Sequence, residues 1–199
     1  MLKPYLYRNM VEAGCDEAGR GALAGPVVAA AVILPKKYRN PLINDSKKLT
    51  PKIRTELREE IISAALAWNV AFVDNTEIDA VNIFRASMKA MHLAVEGLKL
   101  KPGFLLIDGN RFIPLGNIPF RTITGGDGIY MSIAAASILA KTFRDEYMTR
   151  LHDEFPLYGW DKNKGYATAF HREAIRKHGI SPYHRKSFTL TDTQLIIDF

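Results

Sequence analysis

The stretch Met10 to Pro26, MVEAGCDEAGRGALAGP, constrains the fold of this chain more than any other. Small and apolar residues lead up to Asp16, which predicts a buried strand, and Gly14, Gly19, Gly21 and Gly25 let a second backbone come close. Successive strand residues face opposite ways. Asp16 and Glu17 therefore share a pocket only where the pleat ends, and Gly19 and Gly21 are placed to end it. The glycines resemble a dinucleotide-binding fingerprint, but they lead into Pro26 and the apolar run Val27 to Leu34, a strand where that fingerprint needs a helix. Two consecutive strands thus flank the loop. Asp-Glu before glycine is also an ordinary solvated turn, so its chemistry depends on what else reaches it.

Further along, Asn44 to Thr50 (NDSKKLT) is a polar loop whose Lys47 and Lys48 suit either phosphate contact or a solvated connector. Thr50 and Pro51 predict a helix start, and Ile53, Leu57, Ile61, Ala64, Ala65 and Trp68 recur at helical spacing to about Asn69. A short strand follows at Val70 to Val73. One long helix is then predicted along Val81, Phe84, Met88, Met91, Val95 and Leu98, with His92 beside its core stripe as an ordinary packed histidine. Phe104 to Ile107 reads as a central strand delivering Asp108, although Asp-Gly is equally a turn dipeptide. A strand at Ile118 to Thr124 ends in Gly125-Gly126-Asp127-Gly128, where Asp127 is placed to cap the next helix, a role that leaves an oxygen for a metal. Ile133 to Ala140 is small and apolar all round and must lie buried. Strands alternating with helices give an α/β class with a mixed sheet.

From Pro156 the character changes. Tyr158, Trp160 and Tyr166 alternate with Lys162 and Lys164, Thr168 starts a helix that runs to His178, and His184-Arg185-Lys186 follows. Aromatic and basic residues so interleaved suit stacking on sugars and neutralising phosphates, or a small hydrophobic appendix with a charged rim. This change predicts a main domain over residues 1–155 and a helical C-terminal segment over 156–199 packed on it.

Composition limits the chemistry. The 199 residues carry a net charge of +6 and a sequence pI near 9.4, which favours a polyanionic partner without proving one. The single Cys15 excludes an internal disulfide and a cysteine zinc site, and implies a reducing compartment. Any metal must use oxygen or histidine ligands. With no leader-like N-terminus and no apolar run long enough to span a bilayer, the chain reads as cytoplasmic with no membrane partner, and as a monomer.

Asp16, Glu17, Asp108 and Asp127 each fall at a strand end or a helix start. If those strands are neighbours the acids converge, and crowded carboxylates call for a divalent cation. Oxygen ligands select Mg²⁺ or Mn²⁺, and two such ions about 3.5–4 Å apart hydrolyse phosphodiesters. The rival is a non-catalytic, basic nucleic-acid-binding module in which the acids only cap and turn.

CDEAGRG at Cys15 to Gly21 with Gly25-Pro26, DSKKL at Asp45 to Leu49, Ile107-Asp108-Gly109, Gly126-Asp127 with SIAAASILAK at Ser132 to Lys141 and Arg144-Asp145, Lys164-Gly165-Tyr166, His171, and HRKSF at His184 to Phe188 together resemble ribonuclease HII, nearly end to end. The resemblance implies a ribonuclease H-like mixed sheet flanked by helices, with a helical C-terminal segment. It implies a divalent-metal endonuclease acting on RNA–DNA hybrids or on DNA duplexes with an embedded ribonucleotide, with Asp16, Glu17, Asp108 and Asp127 as metal-binding catalytic acids. Gly19, Arg20 and Gly21 would read the ribonucleotide 2′-hydroxyl, Tyr166 would stack on the following deoxyribose, and Lys47, Lys48 and Arg185 are read here as phosphate contacts. Gly125 departs from the family's usual lysine before Gly-Asp, removing a positive charge beside the site. Arg20, where the related ribonuclease HIII typically has lysine, and acids reached within 16 residues argue against that type. The end of the chain, Gln194 to Phe199, is similar to peptides that dock on a sliding clamp, and equally to an amphipathic end that packs on its own domain.

Overall fold

The computed structural model describes residues 2–44, 46 and 49–190. Lys47, Lys48 and the segment Gln194 to Phe199 lie outside the described residues. Five strands form one mixed sheet: β1 (Glu12–Ala18), β2 (Val27–Ile33), β3 (Ala67–Val73), β4 (Phe104–Asp108) and β5 (Phe120–Ile123), in the order β3-β2-β1-β4-β5. β1 pairs antiparallel with β2, as two strands joined by a short glycine loop must. It pairs parallel with β4, Cys15 opposite Ile107, and that pairing brings Asp16 and Asp108 to the same sheet edge.

The helices are α1 (Pro51–Ala64), α2 (Asn75–Val81), α3 (Ile83–Glu96), α4 (Met131–Glu154), α5 (Trp160–Asn163) and α6 (Ala169–His178). Side-chain alternation on β1 sorts them into layers. Ala13 and Cys15 join Ala29, Ala31, Leu105 and Ile107 in a core closed by Met88, Met91 and Val95 of α3. The other face, with Ala30 and Val32, packs against α4, and α1 adds Leu57 and Ile61 outside it. The small residues at the start of α4 serve contact with the sheet: a β-carbon on Gly14 would lie 2.2 Å from the Ser132 carbonyl carbon. No residue larger than glycine fits between that strand and that helix. Among the described residues no helix is long and apolar enough to cross a membrane.

Four local expectations are corrected. α1 ends at Ala64, and Trp68 lies in β3, which begins at Ala67; Ala65 turns extended (φ −67°, ψ 139°) and releases the chain to pair with β2. The predicted long helix is two, because Asn82 (φ 73°) breaks it and caps α3 by accepting the Arg85 N–H, so Val81 belongs to α2. Asp127 is not the N-cap of α4: it sits in a 3-10 turn, Gly126–Gly128, and α4 starts later at Met131 behind Tyr130. The pleat does not end before Glu17, since β1 continues to Ala18. By contrast Thr50 and Thr168 cap α1 and α6 through their hydroxyls. His92, half-buried, meets the Ile113 carbonyl at 2.8 Å.

Beyond a 3-10 turn at Pro156–Tyr158, the C-terminal segment packs Tyr158, Trp160, Ala174 and Ile175 on Leu23, Ala24, Met148 and Leu151. It also runs beside the glycine loop, bridging Ala22 to Tyr166 and Ala24 to His184.

Candidate active site

A cavity of about 470 Å³ opens at the ends of β1 and β4, lined by Asp16, Glu17, Asp108, the Gly19–Gly21 backbone, Lys141 and Tyr166. Because β1 stays pleated through Ala18, Asp16 turns to the α4 side, where it bonds Ser137. Glu17 turns to the α3 side and, with Arg20, Met88 and Asp108, lines a second cavity of about 280 Å³. Both carboxylates still line the larger cavity, and Glu17 acts on Asp16 through its charge.

Their electrostatics are unfavourable. Burial first, then the charges of Glu17 and Asp108, push the Asp16 carboxyl well above the usual carboxylate range, against hydrogen bonds from Ser137 and the Glu17 N–H at 2.7 Å. Burial raises Glu17 as well, opposed by the Arg20 guanidinium 3.1 Å away. Its Oε2 is buried without a hydrogen-bond partner. Asp108 Oδ1 accepts the Gly126 N–H at 2.7 Å, tying β4 to the turn that carries Asp127. Asp127 is buried in that turn and is not among the residues that line either cavity. Among the described residues no three acidic, histidine or cysteine side chains close round one point as a ready metal cage. The donors nevertheless fit a hard divalent cation: they are all carboxylate oxygens, they repel one another, and one buried oxygen lacks a donor.

Of the predicted binding residues, Arg20 and Gly21 are exposed and Gly19 is buried beneath them. Tyr166 is half-buried, its ring 5.7 Å from Lys141 Nζ. Arg185 does not belong to a basic surface. It is fully buried, and it donates to the carbonyls of Gly25 at 3.0 Å and Arg20 at 2.9 Å. A guanidinium turned inward onto backbone carbonyls reaches no phosphate, so the reading of Arg185 as a phosphate contact is withdrawn. Lys141 was passed over as a cavity residue, although it stands four positions after Ser137 and so on the same helix face.

The model of the Ribonuclease HII family matches residues 13–191. A ribonuclease HII of Bacteroides thetaiotaomicron is 60% identical over 200 residues, covering 100% of both chains. Two solved structures share the fold, each with a TM-score of 0.77. The RNase HII of a PCNA complex from Archaeoglobus fulgidus is 28% identical, with 93% of this chain and 98% of that one covered. The ribonuclease H2 of Pyrococcus horikoshii is 26% identical, covering 90% and 94%. A carboxylate-lined edge on a ribonuclease H-like sheet, with a relative alike from end to end, excludes the binding-module alternative: the chain belongs to the ribonuclease HII family and is a ribonuclease H, an enzyme that cleaves the RNA of RNA–DNA hybrids.

Proposed function

We propose that this enzyme also cuts DNA duplexes at single embedded ribonucleotides, on the 5′ side of the ribonucleotide at the RNA–DNA junction, and that it depends on two Mg²⁺ or Mn²⁺ ions held by Asp16, Glu17, Asp108 and Asp127. The observation that carries this is the joint lining of one cavity by Asp16, Glu17 and Asp108, the Gly19–Gly21 backbone and Tyr166. When bound, the cations supply an activated water and neutralise the leaving oxygen. Water adds to phosphorus, the P–O3′ bond breaks, and the products carry a 3′-hydroxyl upstream and a 5′-phosphate on the ribonucleotide.

The chain's own residues choose the bond. RNA differs from DNA by a 2′-hydroxyl, which a close backbone can hydrogen-bond, and a β-carbon on Gly21 would meet nothing within 4 Å, so that face is open to a sugar. Across the cavity the Tyr166 ring packs on the next deoxyribose, where an added hydroxyl would crowd it. Lys47 and Lys48 are assigned to phosphates, residues 156–199 to the substrate-binding segment, and Gln194 to Phe199 to clamp docking, which the PCNA complex of the Archaeoglobus fulgidus relative supports.

The test is cleavage of duplex DNA containing one ribonucleotide, with Mg²⁺, Mn²⁺ or EDTA, followed by end analysis. A single cut 5′ to the ribonucleotide that EDTA abolishes is expected. Tyr166→Ala should lose far more activity on this substrate than on a long hybrid, which offers many registers. Equal losses on the two would make Tyr166 a general binding residue.

A further inference from the structure

Arg144 of α4 and Arg185 of the tail are the only fully buried arginines among the described residues. Among the described residues neither forms an ion pair, and their hydrogen bonds all go to backbone carbonyls. Arg144 donates from Nε to Pro26 O at 2.9 Å, from Nη2 to Ala24 O at 3.1 Å and from Nη1 to Lys164 O at 2.9 Å. Arg185 donates from Nε to Gly25 O at 3.0 Å and from Nη1 to Arg20 O at 2.9 Å, leaving Nη2 buried without a partner. Four carbonyls of the loop between β1 and β2 thus point inward at two cations. An apolar pair of similar volume would fill this space without the cost of burying charge, so what the guanidiniums add is orientation.

That orientation has a direction. In a trans peptide the C=O and the following N–H point opposite ways, so drawing the Arg20 carbonyl inward turns the Gly21 N–H outward, where Gly21 lines the catalytic cavity. Gly19 completes the arrangement: at φ +93° a β-carbon there would lie 2.0 Å from Arg144 Nε, so the guanidinium lies directly beneath the loop. The third bond of Arg144 reaches two residues before Tyr166, and its guanidinium carbon lies 5.3 Å from that ring.

We propose that Arg144 and Arg185 are positioning residues for ribonucleotide recognition: from behind they hold the Gly19–Pro26 loop so that the Gly21 N–H faces substrate, and Arg144 locks that loop to the segment carrying Tyr166. This rests on the reading in which loop and tyrosine flank the ribonucleotide. A lysine keeps the charge but has no planar fork to hold two carbonyls, so it does not substitute.

The experiment is amide hydrogen exchange on the full-length Arg144→Lys and Arg185→Lys proteins, with kcat and KM on the single-ribonucleotide duplex and on a long hybrid. Leu23 N–H bonds Gly165 O, and Gly25 N–H bonds Tyr183 O, so both amides report the loop. They should exchange at least about tenfold faster in both variants while β1, β2 and β4 amides hold their rates, and kcat on the single ribonucleotide should fall about tenfold with a smaller change in KM. Arg144→Lys alone should also loosen the Tyr166 amide, which bonds Asn163 O. Unchanged loop exchange, or equal acceleration throughout the sheet, would overturn the clamp. A loosened loop with both kinetic constants intact would instead overturn the loop's assignment as the ribonucleotide reader, and the positioning role with it. If the lysine variants do not fold, Gly19→Ala keeps both arginines and pushes Arg144 aside; it should show the same selective loosening, and protected Leu23 and Gly25 amides in it would sink the proposal.

Discussion

β1 carries buried carboxylates at both ends, and the two ends behave oppositely. At its start, Glu12 is 5% exposed and its acceptors are met: Oε2 by the Leu6 N–H at 3.0 Å and by Lys36 Nζ at 3.5 Å, Oε1 by the Tyr7 N–H. At its end, Asp16 is 6% exposed and faces two more acids, while a Glu17 oxygen is buried with no donor. Equal burial therefore does not identify an active site. Crowded carboxylates with unmet acceptor capacity do, because a folded chain pairs its buried charges unless something else is to occupy the position.

Substitutions at the two ends should separate activity from stability. Asp16→Asn and Asp108→Asn should each reduce Mg²⁺-dependent cleavage by more than about 100-fold, since losing only an outer partner of a metal ligand already costs about 10- to 100-fold. Without metal the same variants should melt no lower than wild type, and higher if repulsion dominates. Turnover close to wild type in either would place the chemistry elsewhere. Glu12→Gln should do the converse. It sets an amide N–H₂ against backbone donors and should lower unfolding free energy by about 1–3 kcal/mol, read from urea midpoints, with turnover per folded molecule unchanged.

The sequence showed the unmet end more readily than it showed its geometry. Asp16 and Asp108 were legible because each closes an apolar run, a local signal. That they share an edge depends on the parallel pairing of β1 with β4, between segments some ninety residues apart, and no local pattern carries it. Arg185 misled for the same reason: in HRKSF it reads as one base among several, and only the fold turns it and His184 inward while Lys186 and Ser187 stay exposed. Trp68 continues the apolar spacing of α1, so periodicity alone kept it helical, whereas pairing with Val32 of β2 makes it strand. Asn82 ended a helix without a glycine or proline to mark the place, its side chain capping the next helix instead.

The smallest expected effect sets the acidic edge against the tail. His171 and His184 lie 3.1 Å apart through their Nε2 atoms, in a pocket with Tyr158 and Trp160. The Ser181 N–H donates to His184 Nδ1, so that histidine carries its proton on Nε2, facing a His171 Nε2 that also accepts the Trp160 Nε1–H at 3.0 Å, and His171 Nδ1 donates to the Tyr166 carbonyl. Both rings are neutral in this network. Burial, then His171, lower the His184 pKa from 6.5 to about 4, so between those values the unfolded chain binds more protons and stability rises with pH. Asp16 has the opposite sign. Its folded pKa lies above the unfolded one, so the native state holds the extra proton and stability falls as pH rises through that window. In EDTA the two partly cancel. Asp16→Asn removes the contribution of Asp16, and its unfolding free energy should climb more steeply than wild type between pH 4 and 6.5, by at most about 1.4 kcal/mol per pH unit, the value for one proton. Urea titrations at four pH values in that range decide it: parallel curves would mean that Asp16 is already charged in the metal-free protein, and that the acidic edge is less crowded than its burial implies.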